Sequence, residues 1–268
     1  MYAWLLDHGQ LVAGVDFDTS EVATEALVIL AVGILGHWKA PVGYFFTNKL
    51  TGSVQCQLIN QVITEMHYIG FDVVALVMDG LAANKSMALE LGCNLNVNNL
   101  SPCFTNPVDA SKSVAIFFDA CHMLKLLRNL FHSFQSLYIP DIGVVKFEHV
   151  KVLHQAQERE GLRAANKLTT CHVEFERQIM KVKLAAQSFS SSVSKGIKLA
   201  RNLNIPGFEN SKGTENFVAI INRLFDIFNS KNVHCTGFKS PLNLKRLNGS
   251  RQFLVQTLNM LLAMLTES

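Results

Sequence analysis

The sequence lacks the features that mark several common protein classes. Its six cysteines include no C-x-x-C pair, which argues against a zinc ribbon, and it has no G-x-x-x-x-G-K-[ST] stretch, which excludes a P-loop. The longest apolar run, Ala26 to Gly36, is shorter than the roughly 20 residues that a membrane-spanning helix needs. The first residues lack the basic start and long apolar core of a secretory leader. We therefore expect an intracellular protein with reduced thiols.

Charge is also scarce, and it is unevenly placed. Charged residues make up 17% of the chain and hydrophobic residues 49%, which is typical of a globular protein with a large core. Residues 1–79 contain two basic and eight acidic residues, whereas residues 145–201 contain eleven basic and five acidic ones. A basic second half is compatible with polyanions such as DNA or nucleotide phosphates, although a solvated basic helix face is the more ordinary explanation.

Strand and helix patterns alternate in the first half of the chain. The strand-like stretches are residues 11–17, 26–32, 41–47, 73–78 and 114–118, and the helical ones are 53–69, 82–91 and about 120–137. This order predicts a mixed sheet with helices on its faces.

From Phe147 onward the pattern is almost entirely helical. Apolar residues recur at steps of three and four along residues 175–193, 217–228 and 254–265, which is typical of amphipathic helices. A weaker helix over 147–167 is interrupted at Gly161. We place the junction near Pro140-Asp-Ile-Gly143, which divides the chain into an α/β domain at 1–143 and an all-helical domain at 144–268.

Two of the predicted strands end in a carboxylate. Residues 73–78 run into Asp79, and residues 114–118 run into Asp119, which opens a helix on which His122 and Lys125 share a face with Asn129. Acidic residues at strand ends suggest metal-dependent phosphoryl transfer, with Asp119 pointing toward Asp79. An ordinary helix N-cap is the alternative for either aspartate, with His122 as a hydrogen-bonded support rather than a ligand of metal or DNA backbone.

Five stretches match the motifs of one family, in order. They are residues 38–46 (WKAPVGYFF), 78–84 (MDGLAAN), 118–129 (FDACHMLKLLRN), 180–187 (MKVKLAAQ) and 224–231 (LFDIFNSK). The chain thereby resembles P-element-type transposases, whose full-length members carry a THAP zinc finger. The resemblance implies a nuclear protein with an RNase H-like core, interrupted by a helical insertion that binds GTP. It also implies cut-and-paste DNA transposition with three carboxylates and two Mg²⁺ ions.

The resemblance assigns one of those three carboxylates. Asp79 fills the second catalytic, metal-binding position, with Asp119 and His122 as candidate supports. The family's first aspartate lies in an Asp-Glu-Met stretch that is not present here, and its glutamate follows the insertion. Four other acidic residues are not assigned, because Asp7 lies near the turn leading into Leu11, Asp16 and Asp18 lie at the end of the wrong strand, and Glu267 lies in no matching context. We therefore expect an incomplete RNase H-like sheet with flanking helices, followed by the insertion, and no catalytic competence in this chain alone.

The nucleotide is expected on the helical half. Asp226 and Asn229 lie three residues apart on one helical face, where a carboxylate can accept from guanine N1 and N2 and an amide can pair with O6 or N7. The resemblance places guanine recognition here, with Phe225 able to stack on the base and with Lys181 and Val182 near the nucleotide. The alternative is an ordinary amphipathic helix with a polar edge.

We interpret the chain as a fragment of a P-element-type transposase, with Mg²⁺ and GTP as expected cofactors and DNA as the partner of full-length relatives. The alternatives are a domesticated GTP-binding or regulatory module without nuclease activity, and a fragment with no role of its own. Homo-oligomerisation is left open, and no membrane partner is expected.

Overall fold

The structure, a computed structural model, describes residues 5–7, 10–12, 22–34, 38–161, 164–230 and 234–266. Contacts between Cα atoms divide the chain into unit 1, Met1–Phe118, and unit 2, Asp119–Ser268. Among the predicted features, residues 13–17 of the first strand, with Asp16, lie outside the described residues, and so do Asp18 and Glu267.

Unit 1 combines short strands with two helices. Its described elements are β1 (Leu5–Asp7), β2 (Gln10–Val12), β3 (Glu25–Val32), β4 (Lys39–Thr47), α1 (Gly52–Tyr68), β5 (Ala75–Met78), α2 (Ala82–Glu90), β6 (Cys103–Thr105) and β7 (Ser113–Phe118). Antiparallel pairs join β1 to β2 and β3 to β4, while β7 lies between a parallel β5 and an antiparallel β6. The last sheet is therefore mixed, as the alternating pattern predicts.

Helix α1 forms where its apolar spacing and end residues predict it. Thr51 is the N-cap, and its Oγ1 accepts a hydrogen bond from the Val54 N–H. Gly70, at φ +88°, takes the left-handed conformation that ends many helices. The buried face of α1 packs Ile59 and Ile63 against residues of α2, β6 and β7, namely Met87, Ala88, Phe104, Val114 and Ile116. This packing fixes α2 beside the end of β5, where Asp79 lies.

Unit 2 is mostly helical. Its described elements are α3 (Ala120–Phe134), β8 (Ser136–Ile139), β9 (Gly143–Lys146), α4 (Glu148–Glu160), α5 (Thr170–Val173), α6 (Val182–Ser188), α7 (Ser191–Asn202), α8 (Lys212–Phe228) and α9 (Leu244–Thr266). A cluster of buried aromatic rings occupies its core: Phe131, Phe147, Phe189 and Phe217. Across the described parts of both units, no helix is long and apolar enough to cross a membrane.

A hairpin of β8 and β9 lies between α3 and α4, and the helical pattern of the sequence did not predict it. The stretch Pro140-Asp-Ile-Gly143, predicted as an interdomain junction, is its turn, with φ +65° at Asp141 and +90° at Gly143. Ile139 and Val145 are completely buried in the core of unit 2. The division between the units falls at Phe118, because α3 packs Leu124 and Phe131 into that same core, and the domain boundary at Gly143 stays a prediction.

The regular spacing along residues 175–193 does not produce one helix. The chain forms a 3-10 turn at Glu176–Gln178, then α6 and α7 as separate helices. Phe175, Phe189 and Val193 are buried as that spacing predicts, but Ile179 is exposed. The regular spacing therefore reflects burial of a few large side chains in the tertiary core, and not one continuous helix. The interruption predicted at Gly161 is confirmed, since this residue caps α4 at φ +67°.

Candidate functional site

Asp79 directly follows β5 and is held by the beginning of α2. Its Oδ1 accepts hydrogen bonds from the Leu81 N–H at 3.0 Å and from Asn84 Nδ2 at 2.7 Å. Among the described residues, Oδ2 receives no hydrogen bond. The side chain is only partly buried, so this second oxygen is the one available to a ligand.

Sequence reasoning assigned no role to Asn84, although it lies in the matched stretch 78–84. The signal was its spacing: five residues after Asp79, on the first turns of α2, its amide returns to the carboxylate. Asn84 therefore fixes the orientation of Asp79 and leaves one oxygen free.

The described residues do not by themselves form the two-metal site implied by the family. Mg²⁺ is held by hard oxygen ligands in near-octahedral geometry, and Asp79 supplies one carboxylate. No group of three or more His, Cys, Asp or Glu side chains that could hold a metal ion is found among the described residues. The backbone of Asp7 lies in β1, and its side chain is outside the description. We derive no reaction step through a metal from this arrangement.

Asp119 has the cap geometry that the sequence offered as an alternative. It is the N-cap of α3, and its Oδ2 accepts from the His122 N–H at 2.7 Å. Farther along the helix, Asn129 Oδ1 accepts from Nε of the fully buried Arg128. His122 is partly buried and Lys125 largely so. The cap uses one Asp119 oxygen, so a further role for Asp119 or His122 stays a prediction.

We expect Asn84→Ala to destabilise unit 1 by about 0.5–1.5 kcal/mol, because Asp79 loses one of its two hydrogen bonds. Both tryptophans of the chain, Trp4 and Trp38, belong to unit 1, so tryptophan fluorescence during urea unfolding reports on this unit. Asn99→Ala, at an exposed position of the same unit, is the matched control and should unfold like the wild-type chain. Equal midpoints for the two variants would show that Asn84 does not hold Asp79.

A cavity of about 280 Å³ in unit 2 brings acidic, basic and aromatic side chains together. It is lined by Ser191, Ala219, Asn222, Arg223, Asp226, Thr236, Phe238 and Lys239. The residues come from α8, from the start of α7 and from the 3-10 turn Gly237–Lys239. Helix α8 contributes one acid, one base and one amide to this cavity: Asp226, Arg223 and Asn222.

Asp226 is the acidic group of this cavity. Asn222 Nδ2, one helical turn earlier, donates to its Oδ2 at 3.1 Å. Burial raises the pKa of the Asp226 carboxyl above its ordinary value, an effect that the Lys239 charge and the Asn222 hydrogen bond oppose. The remaining carboxylate oxygen makes no hydrogen bond to the described residues and is free to accept from a ligand.

Of the five residues predicted to bind nucleotide, Asp226 alone is among those that line the cavity. Phe225 is partly buried against the core of unit 2, and Asn229 is the exposed C-cap residue of α8. Lys181 is exposed at the N-cap of α6, and Val182 begins that helix. Their contacts with nucleotide stay predictions.

Sequence reasoning missed Asn222, Arg223, Phe238 and Lys239, and also the hydroxyl-bearing lining residues Ser191 and Thr236. For the first two, the signal was available, because positions three and four residues before Asp226 share its helical face. No local signal identified Phe238 and Lys239, because they follow a separate segment of chain.

Two domain-family models match the chain in succession. The model described as "TNP-like, RNase H N-terminal domain" matches residues 4–92, and the one described as "TNP-like, GTP-binding insertion domain" matches residues 121–241. The second range contains every residue that lines the cavity.

Relatives with curated names point the same way. The chain is 37% identical over 227 residues to a DNA transposase of Homo sapiens, THAP9, covering 85% of this chain and 25% of that protein. It is 27% identical over 231 residues to the Transposable element P transposase of Drosophila melanogaster, covering 84% and 29%, respectively. The chain therefore spans between a quarter and a third of the length of these relatives.

A solved structure shows the fold. The "Drosophila P element transposase strand transfer complex" superposes with a TM-score of 0.77 at 24% identity, over 97% of this chain and 56% of that one. The predicted RNase H-like core with a mainly helical insertion is thereby confirmed. The two successive domain matches, the two relatives and this fold together show that the chain belongs to the P-element-type transposase family, of which it carries an RNase H amino-terminal domain and a GTP-binding insertion domain.

Proposed function

We propose that this chain is part of a DNA cut-and-paste transposase and that unit 2 binds GTP in the cavity around Asp226. The observation that carries the proposal is the position of Asp226, a partly buried carboxylate with a free oxygen, in a cavity that lies within the matched GTP-binding domain. Guanine is distinguished from adenine by its N1–H and N2 amino donors, and a carboxylate is the side chain best suited to accept both.

The cavity is sized for one end of the nucleotide. Ligand pockets commonly enclose about 300–1,000 Å³ for drug-sized molecules, and this cavity, at about 280 Å³, is slightly smaller. We propose that the base occupies the cavity and that the phosphates extend beyond it, with Arg223 and Lys239 as the cations of its wall. Lys181, Val182, Phe225 and Asn229 remain proposed contacts for parts of the nucleotide outside the cavity.

Unit 1 is proposed to contribute the second catalytic carboxylate. Asp79, with one oxygen fixed by Asn84 and Leu81 and the other free, would hold Mg²⁺ in a complete RNase H-like core. A bound Mg²⁺ pair would activate the attacking oxygen and stabilise the leaving one. Since one carboxylate cannot position two ions, we propose that this chain alone does not cut or join DNA. We propose Asp119 and His122 as supports of Asp79. We also propose that the protein resides in the nucleus, because a transposase acts on DNA.

A second candidate function is a GTP-binding or regulatory module without nuclease activity, in a protein descended from a THAP-type transposase. It is supported by the contrast between the two units: all residues that line the cavity lie in unit 2, whereas the described residues of unit 1 place Asp79 in no group of three or more possible metal ligands. Such a module would act by binding longer relatives or another copy of itself.

Equilibrium titration of the purified chain with a fluorescent GTP analogue tests the nucleotide site. We expect saturable binding that unlabelled GTP displaces and that Asp226→Ala abolishes. Absence of binding would remove both candidates that depend on GTP.

In parallel, incubation with transposon-end DNA and Mg²⁺ should give no cleaved or joined product. Strand transfer that disappears in Asp79→Ala would contradict the proposed lack of catalytic competence.

A further inference from the structure

Two serines of the chain are directly followed by proline, Ser101 and Ser240. A serine before proline is the minimal pattern that proline-directed protein kinases accept, and the proline favours extended backbone at that serine. Such a dipeptide is common by chance, so the pattern alone selects neither serine. The two serines differ in how the fold holds the chain around them.

Ser101 lies in backbone that is already paired. Its N–H donates to the Asn94 carbonyl at 2.8 Å, and its own carbonyl accepts from the Asn94 N–H at 2.9 Å. The carbonyl of the next residue, Pro102, accepts from the Ile116 N–H of β7. A kinase binds its substrate as an extended segment whose backbone is free to contact the enzyme. Ser101 is exposed, but its backbone is not free in this way.

Ser240 lies in an open segment between two helical elements. It is partly exposed and follows the 3-10 turn Gly237–Lys239 with φ −77° and ψ 146°, an extended conformation. Residues 241–243 belong to no helix or strand, and α9 begins at Leu244. On this side of the serine, Leu242 and Leu244 are 53% and 89% exposed. Ser240 therefore has the conformation and the accessible flanking chain that a kinase requires.

A cation already contacts the Ser240 hydroxyl. The Arg246 guanidinium, in the first turn of α9, donates through Nη1 to Ser240 Oγ. The described salt bridges of unit 2 all involve other residues, so Arg246 has no carboxylate partner within the described chain. Arginine pairs with phosphate through two parallel N–H···O bonds, which are among the strongest hydrogen bonds in proteins. Ser240 thus lies beside an arginine whose preferred partner is an anion.

The surrounding sequence contains no competing acid. Residues 227–266 include five basic residues and no acidic one. The basic residues are Lys231, Lys239, Lys245, Arg246 and Arg251. A phosphoserine carries a charge of about −1.5 to −2 at neutral pH, and it disrupts a structure when it lies next to carboxylates. A phosphate on Ser240 would instead neutralise part of a basic segment.

We propose that Ser240 is the acceptor of a proline-directed protein kinase, with ATP as the phosphoryl donor, and that Arg246 holds the product phosphate. In the transfer, the Ser240 oxygen bonds to the γ-phosphorus of ATP, the bond from that phosphorus to the β,γ-bridging oxygen breaks, and ADP leaves. The hydroxyl proton passes to the catalytic aspartate of the kinase.

The modification exchanges one contact of Ser240 for stronger ones. The hydroxyl gives up its hydrogen bond to the Gly237 carbonyl, at 3.0 Å, and the phosphate gains charge-assisted bonds to Arg246. The phosphate would thereby tie the turn that carries Phe238 and Lys239, two residues of the cavity wall, to the start of α9. The proposal does not depend on GTP binding.

Phosphorylation of the purified chain tests the acceptor. The chain is incubated with Mg²⁺–ATP and each of two proline-directed kinases, one mitogen-activated and one cyclin-dependent, and the product is analysed by intact-mass and tandem mass spectrometry. We expect one phosphoryl group, on Ser240. Ser240→Ala should take up none, whereas Ser101→Ala, the matched control, should take up one like the wild-type chain. No incorporation while a control peptide is phosphorylated, or incorporation at Ser101 in place of Ser240, would overturn the proposal.

Titration of the phosphate tests its contact with Arg246. A phosphoserine has a second pKa of about 6, and a neighbouring guanidinium lowers this pKa because it favours the dianion. Phosphorus NMR of the phosphorylated chain should show a midpoint about one pH unit below that of the same phosphoserine in an unstructured peptide. Arg246→Gln should lose most of this shift. Lys245→Gln, the matched control, removes the same charge from the adjacent position of α9 and should keep it.

The other charged groups near this turn are unchanged in both variants. They are Lys239, Arg223, which lies over the Phe238 ring, and Asp226, whose carboxyl interacts with the Lys239 charge. Circular dichroism of each variant shows that α9 is still folded. Equal midpoints in the wild-type chain and in Arg246→Gln would overturn the assignment of the phosphate to Arg246.

Discussion

Asp226→Asn is expected to weaken GTP binding by about two orders of magnitude and to create binding of xanthosine triphosphate, as expected when a site built to pair a ligand group meets the wrong partner. The carboxylate accepts from two donors of guanine, and the amide replaces one of those acceptors by an N–H donor, which opposes the N2 amino group. Xanthine carries a carbonyl oxygen at that position, so the amide can donate to it and still accept from N1–H. Competition titrations with the two triphosphates measure the exchange of preference.

The control for this prediction is Asp141→Asn, an exposed aspartate of the same unit in the turn between β8 and β9. Its left-handed backbone is well suited to asparagine, and it is not among the residues that line the cavity, so GTP affinity should not change. Binding should also decline on acidification once Asp226 is protonated. Because burial raises its pKa, this decline should begin at a higher pH than an ordinary aspartate would give. Unchanged GTP preference in Asp226→Asn would show that Asp226 does not contact the base.

Phe131→Ala is expected to destabilise unit 2 by about 3–5 kcal/mol, a large part of the stability of a typical domain. Phe131 is 1% exposed and lies at the centre of the aromatic cluster. Its ring centroid is 5.4 Å from those of Phe147 and Phe217 and 6.2 Å from that of Phe189. Truncation leaves a cavity that rings from separate elements cannot easily collapse to fill. Thermal unfolding followed by far-ultraviolet circular dichroism measures the loss, because most of the helix belongs to unit 2.

Phe134→Ala, three residues farther along α3, provides the matched control. Phe134 is 59% exposed, so its removal should change stability by no more than about 0.5 kcal/mol. The pair also tests the assignment of α3 to unit 2, since Phe131 packs only into that unit's core. Tryptophan fluorescence of unit 1 should be nearly unaffected by either variant. Similar small effects of both substitutions would mean that the aromatic cluster does not carry the fold of unit 2.

Elements with strong local signals were predicted closely from the sequence. Helix α1 has its N-cap threonine, its apolar stripe and its terminal glycine, and it begins and ends within a residue of the predicted range. Strand β7 and the cap at Asp119 are equally local, because a buried apolar run and a carboxylate at a helix start need no distant partner. In each case, the residues that determine the element are neighbours in the chain.

The hairpin and the division between units were not predictable in this way. A turn sequence such as Pro140-Asp-Ile-Gly143 is found both in interdomain linkers and in β-hairpins. The outcome depended on whether Ile139 and Val145 could be buried in a core, and that core is built by helices much later in the chain, such as α8 with Phe217 and Ile221.

The sequence alone determined the family, the alternation of strands and helices, and the two aspartates, Asp79 and Asp226, that carry the proposed chemistry, because motifs and periodicity are properties of neighbouring residues. Tertiary structure decided which of the possible neighbours come together around those aspartates. Asn84 returns to Asp79 because packing against α1 fixes α2, and the Arg223 guanidinium lies near two rings, Phe238 in a turn and Phe253 in α9, that are 15 and 30 residues away in the chain. Such convergence depends on how separate elements bury their apolar faces against one another, and local pattern does not record it.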